Sequence, residues 1–200
     1  MMKMVTKLCF WASLSALLMI GSAVAQTVTP VSAGDGTIQA AIDVAADGDI
    51  LELVDGGGLY ITSDTDKIIV NKKLTIRAAE GLAQMPVVRN TNAAASSARL
   101  FEIQAGGELF LQGLYLDGSI DGSTTAHAKN AVRSQDINTP ADSIRFQLKI
   151  EDCVMRHFTE AIVKAHANHF RSIILRRHFD AARRLSREAL PPASYRIRRG

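Results

Sequence analysis

The chain has 200 residues, of which 47% are apolar, 22% charged and only 6% aromatic. That length and balance fit one or two domains and exclude a disordered polar chain, a collagen or a disulfide scaffold as the main content. The net charge of +3 conceals two unlike segments: residues 26–170 hold 12 Lys and Arg against 18 Asp and Glu, a net of −6, whereas 171–200 hold nine Arg and two acids, a net of +7. The basic character belongs to the end of the chain, so the body offers no electrostatic argument for nucleic-acid binding.

Lys3 and Lys7 precede an apolar stretch from Leu8 to Ile20, and Ala23-Val24-Ala25 supplies the small-x-small pattern that signal peptidase accepts. Residues 1–25 therefore read as a signal peptide, cleaved between Ala25 and Gln26. The apolar run is shorter than the ~20 residues of a membrane span. The expected product is exported (periplasmic, cell-surface or extracellular), with no transmembrane segment after cleavage. Cys9 leaves with the signal, so Cys153 stands alone in the mature chain and no internal disulfide forms.

Residues 26–36, rich in Thr, Gly and Pro, read as a linker. Residues 37–49 read as a capping helix and turn. Thr37 is placed to cap the first turn, and Ile38, Ala41, Ile42 and Ala45 repeat at the spacing of one buried stripe. Asp47-Gly48-Asp49 then supplies the turn.

From Ile50 the period changes to two. Leu51/Leu53, Leu74/Ile76, Phe101/Ile103, Leu109/Leu111, Leu114/Leu116 and Phe146/Leu148/Ile150 each alternate with a residue on the opposite face. Turn signals lie between them at Gly56-Gly57-Gly58, Gly106-Gly107, Asp117-Gly118 and Asp121-Gly122. Many short strands fit a sandwich, a barrel or a solenoid. The solenoid is favoured by strands that arrive in pairs, by a helix placed to cover an open end, and by three similar segments. These are Leu74-Thr75-Ile76-Arg77, Leu109-Phe110-Leu111-Gln112 and Leu148-Lys149-Ile150-Glu151, spaced 35 and 39 residues apart. The excess over a compact coil is assigned to polar stretches at 119–130 and 134–143, which would project as loops on a binding face. A β-sandwich is the alternative on pattern alone.

Thr37-Ile38-Gln39-Ala40-Ala41-Ile42, Ala46-Asp47-Gly48-Asp49-Ile50-Leu51-Glu52-Leu53 and Gly58-Leu59-Tyr60 together resemble the entry of secreted right-handed parallel β-helix proteins. The likeness is to the chondroitinase-B and alginate-lyase group, polysaccharide lyase family 6, and its relatives. Asp47 stands where that group carries Pro. Lys73-Leu74-Thr75-Ile76-Arg77-Ala78, Leu114-Tyr115-Leu116-Asp117-Gly118 and Ile150-Glu151-Asp152-Cys153-Val154-Met155 resemble later coils. The resemblance implies an all-β chain: a right-handed parallel β-helix of about five coils over residues 50–168, behind its capping helix. It also implies carbohydrate activity on uronate polysaccharides by β-elimination, with a cation on the carboxylate, a Lys base and an assisting Arg. Those residues lie on coils beyond the first five, so the catalytic residues of this chain are unknown. The chain is expected to be an N-terminal portion without lyase activity. No cofactor is expected in it, calcium belonging to a full-length relative, and the expected partner is an acidic polysaccharide, not nucleic acid. The alternative is a non-catalytic surface β-helix that binds glycans or protein partners through its long loops.

No phosphate-binding loop, His-Glu-x-x-His, paired-Cys spacing or serine elbow is present. Arg156, Lys164 and His166 are the candidate substrate contacts, set to face one side of the last coil, with a solvated charged face as the competing reading. His157, His166 and His169 are the densest metal-type cluster, but their spacing suits exposed loop histidines better than a zinc site. Asp117, Asp121, Asp136 and Asp142 suit turns better than a calcium loop. Tyr60 and Tyr115 are placed either to stack on sugars or to pack within strands, and Cys153 reads as a small buried hydrophobe. Residues 169–200 form an Arg-rich tail in which Phe170, Ile173, Ile174, Ala181 and Leu185 would share one helical face. The tail is either a cap over the open end or sequence shifted out of frame, and contact with anionic lipid or nucleic acid is a third reading for it.

Overall fold

The computed structural model describes residues 26–63, 65, 67–92, 98–123, 125–135 and 146–164, together with the backbone of 170–176. The chain winds through successive three-sided turns. The first holds β1 (Val28–Val31), β2 (Gly34–Asp35) and α1 (Thr37–Val44). The second holds β3 (Ile50–Leu53), β4 (Leu59–Thr62) and β5 (Ile68–Val70), and the third β6 (Lys73–Ala78), β7 (Val87–Asn90) and β8 (Arg99–Ile103). The fourth holds β9 (Glu108–Gln112), β10 (Tyr115–Asp117) and β11 (Asn130–Ser134). The fifth holds β12 (Phe146–Glu151), β13 (Val154–Arg156) and β14 (Val163–Lys164), and β15 (Phe170–Arg176) opens a sixth.

Each strand pairs with its counterpart one turn away, never with its neighbour in the chain, and every strand pair is parallel. Three sheets result: sheet A, β1-β3-β6-β9-β12-β15; sheet B, β2-β4-β7-β10-β13; and sheet C, β5-β8-β11-β14. This is a parallel β-helix, and its pairing removes the sandwich alternative. The three similar segments stack in register, with Leu74 opposite Leu109 and Leu109 opposite Leu148.

The inner face explains the alternation. Leu51, Ile76, Leu111 and Ile150 form one buried column, and Tyr60, Val88 and Leu116 form another. Ile68, Phe101, Val132 and Val163 line sheet C. Each turn thus covers the apolar floor of the last, which an isolated turn could not bury.

α1 occupies the place of a third strand in the first turn and turns Ile38 and Ile42 into the core. Its Gln39 side chain imitates a strand: Oε1 accepts from the Ile69 amide at 2.8 Å and Nε2 donates to the Ile69 carbonyl at 3.4 Å. At the other end of the helix, Lys72 Nζ donates to the carbonyls of Ile42, Asp43 and Ala45 at 2.8–2.9 Å. That answers carbonyls a helix end leaves without partners. The expected Thr37 cap is replaced: Gly36 holds the N-cap position at φ 66 with no side-chain cap, and the Thr37 hydroxyl donates to the Gly34 carbonyl at 3.4 Å.

Carboxylates hold the corners. Asp49 accepts from the Thr27 and Ala46 amides, Asp55 from Ala33, Asp35 from Ser63 and Asp47 from Lys73. The Ala46 and Thr27 amides hold the Asp49 carboxyl below its ordinary range. The acidity of the body therefore has a structural use.

Two expectations are corrected, and a third in part. Residues 26–36 are not a linker, because β1 and β2 belong to the first turn. Pro30 fits there since β1 is an edge strand of sheet A, where a missing amide is tolerated. The Arg-rich segment is not helical at its start, because Phe170–Arg176 is a strand paired with β12; Ala181, Leu185 and the rest of 177–200 lie outside the described residues. The extra length of the turn from Thr75 to Phe110 falls in the connections 79–86 and 91–98, whereas that of the turn from Phe110 to Lys149 falls in 118–129 and 135–145, where the loops at 119–130 and 134–143 were expected. The signal segment 1–25, with Ala25, is also outside the described residues, while Gln26 donates to the Gly48 carbonyl at 2.7 Å. Among the described residues no helix is long and apolar enough to cross a membrane.

Candidate functional site

Sheet B presents two parallel rows on its outer face. One row runs Leu59, Val87, Tyr115, Val154, and the other runs Ile61, Arg89, Asp117, Arg156. Apolar and aromatic side chains thus lie beside a line of charge, two residues away on each strand.

Asp117 is the centre of the charged row. Its Oδ2 accepts from Arg89 Nε at 3.0 Å and Nη2 at 2.5 Å, while Oδ1 accepts from the Ser119 amide at 3.0 Å and lies 2.9 Å from His157 Nδ1. Burial alone would push this carboxyl up, but hydrogen bonds from His157, Ser119 and Arg89 outweigh it and hold the group at about 2. The His157 ring in turn stacks on His127, with centroids 5.8 Å apart and planes 19° from parallel.

The segment between β10 and β11 folds over this corner. Ser119 and His127 pair in antiparallel fashion, the Ile120 amide donates to the Ala126 carbonyl at 2.8 Å, and Ile120 packs with Ala98, Ala128 and Phe158. Gly122 approaches Arg89 so closely that a Cβ there would stand 3.3 Å from Nη1. Gly118 sits against the His157 backbone, where a Cβ would overlap the His157 carbonyl oxygen. Asp121 and His157 both have left-handed backbones, at φ 50 and φ 63. Such strain persists only where the surroundings hold it, and it concentrates at functional sites.

Of the expected group Arg156, Lys164 and His166, the first two lie on different sheets. Arg156 ends β13 on sheet B, whereas Lys164 ends β14 on sheet C, where its Nζ lies 3.3 Å from Glu160. Burial is the largest single influence on the Glu160 carboxyl and raises it, but the Lys164 hydrogen bond and the charges of Lys164 and Lys129 together bring it below its ordinary value. His166, His169, Asp136 and Asp142 lie outside the described residues. Tyr60 is core: its buried hydroxyl donates to the Val31 carbonyl and accepts from the Asp55 amide. Tyr115 lies on the outer face instead. Cys153 packs against the core, its thiol 3.2 Å from the Glu151 carbonyl and pushed up to about 11 by burial. Arg89 and His127 were not anticipated from sequence, and the pairing of Asp117 with His157 has no local signal, because 40 residues separate them.

Calcium, which the resemblance carries with it, has no fit at this corner, since both oxygens of Asp117 are already engaged by Arg89, His157 and Ser119. Among the described residues no group of three or more His, Cys, Asp and Glu is placed to hold a metal.

A solved structure of a PL6 family alginate lyase, AlyGC, matches 76% of this chain with a TM-score of 0.52 at 26% sequence identity. The fold is polysaccharide-lyase-like. The match takes in 18% of the alginate lyase, so this chain spans less than a fifth of the enzyme's length. A mutant of the same enzyme matches 77% of this chain and 20% of its own, with a TM-score of 0.47 at 23% identity. No family model and no curated protein matches the chain.

Proposed function

We propose that this chain is an exported, carbohydrate-active β-helix that engages acidic, uronate-containing polysaccharides, and that its described turns bind such chains without cleaving them. The likeness to an alginate lyase at 26% identity carries the reading. The outer rows of sheet B support it, because a sugar ring offers an apolar face and a uronate adds a carboxylate that Arg suits.

The lysines bear on cleavage, since the resemblance implies a Lys base and a lysine acts as a base only with its lone pair free. Lys67, Lys73, Lys129, Lys149 and Lys164 each contact a carboxylate at 3.1–3.8 Å, and Lys72 is spent on the carbonyls that end α1. An ammonium held this way donates and has no lone pair to take a proton.

The test is to pass the protein over immobilised alginate and, separately, to incubate it with alginate and with chondroitin sulfate while following unsaturated-uronate absorbance. Retention without an absorbance rise is expected. A sustained rise overturns the non-cleaving part, and failure to be retained overturns the polysaccharide reading.

A further inference from the structure

The corner around Asp117 specifies more than a class of ligand. An ionised carboxylate only accepts hydrogen bonds, so the proton between Asp117 and His157 resides on His157 Nδ1. Whenever the ring is neutral, that fixes its tautomer and leaves Nε2 as an acceptor. Among the described residues Nε2 has no hydrogen-bond partner, and the side chain is 49% exposed. The ring lies stacked on His127.

Arg156 comes immediately before His157 in the chain. In an extended strand these two side chains would point to opposite faces. The left-handed backbone of His157, at φ 63, breaks that alternation and brings its ring back to the outer face, where it meets Asp117. Arg156 stands in register with Asp117, is exposed, and makes no ion pair among the described residues because Arg89 already holds that carboxylate. Tyr115 and Val154 adjoin on the same face, opposite each other.

We propose that Arg156 and His157 form a subsite for a single uronate residue. Arg156 takes the carboxylate in a two-pronged contact, His157 Nε2 accepts from a sugar hydroxyl, and Tyr115 lies under the apolar face of the ring. Asp117 and Arg89 are positioning residues that hold the imidazole. The proposal rests on the acidic-polysaccharide reading and names the residues that would do the recognising.

The test measures binding of alginate-derived oligouronates, and of the same oligomers with their carboxylates reduced to alcohols, to the full chain by titration calorimetry. Arg156→Ala and His157→Ala should each weaken oligouronate binding about tenfold or more. Both side chains are exposed, so these variants should fold. Arg156→Ala should also erase the preference for the acidic over the reduced oligomer, and Arg156→Lys should restore it only in part. His157→Gln, which keeps an acceptor, should recover part of what His157→Ala loses. Lys73→Ala, on sheet A, should change nothing. Asp117→Asn should shift the ¹⁵N signals of His157 away from a single Nδ1-protonated tautomer, an effect a merely structural role would not produce. If the unaltered protein binds no oligouronate, the polysaccharide reading and the subsite both fall. If it binds, and Arg156→Ala and His157→Ala bind within twofold as well, the subsite alone is overturned.

Discussion

Four hydrogen bonds converge on the buried carboxylate of Asp117, from Arg89 Nε and Nη2, the Ser119 amide and His157 Nδ1. Its folded value of about 2 lies below the 3.8 of an unperturbed Asp, so the group favours the folded state wherever it is ionised. The stabilisation, about 2 kcal/mol, is fully present above about pH 4 and is lost as pH falls through about 2. Urea unfolding of the unaltered protein at about pH 5 and pH 2 should show this loss on top of that from Asp49 and Glu160, and Asp117→Asn should lose about 2 kcal/mol less over the same interval. At neutral pH that substitution should cost about 3 kcal/mol, since it leaves the Arg89 guanidinium without its counter-charge in a half-buried place. None of this was legible from spacing. Arg89, Asp117 and His157 are 28 and 40 residues apart, and unequal connections obscure the fact that each step is one turn of the coil.

The elements at the two ends differ in how plainly their sequences announce them. The stripe of Ile38 and Ile42 in α1 is readable because a helix with one buried face must repeat at that spacing. What ties it to the solenoid, Gln39 against the edge of β5, is not, since an exposed-looking Gln carries no pattern. Gln39→Leu should leave the Ile69 amide and carbonyl without partners and cost about 1–2 kcal/mol, read from the urea midpoint, and Gln39→Glu should not recover that loss at neutral pH, because it sets a carboxylate against Asp43, to which Gln39 Nε2 donates at 2.9 Å. At the other end, the arginine-dense composition masks an ordinary strand. Ile173-Ile174-Leu175-Arg176 stacks on Leu148-Lys149-Ile150-Glu151 as that segment stacks on Leu109-Phe110-Leu111-Gln112. Its apolar residues also fit a helical spacing, and only the neighbouring turn selects the pleated form. Ile174→Pro should break this pairing by removing a ladder amide. Amide exchange should then quicken across 146–151 and stay unchanged in β3 and β6.

Across the whole molecule, Val28, Ile50, Thr75, Phe110, Lys149 and Ile174 mark one line down sheet A at intervals of 22, 25, 35, 39 and 25 residues. The sheets tolerate that irregularity because connections leave at the corners while inward positions keep their stacking. The inward leucines and isoleucines were therefore readable, but the number of turns was not. Contacts run almost wholly between adjacent turns, so damage should spread by neighbours and not through the body at once. Leu111 offers the sharpest test, being fully buried with Ile76 on one side and Ile150 on the other. Leu111→Ala should cost about 2–5 kcal/mol. Exchange read amide by amide should show the loss centred on β6, β9 and β12, with β1 and β3 retaining more of their protection. Uniform loss along the entire chain would mean that the turns fold as one cooperative block instead of a linear array.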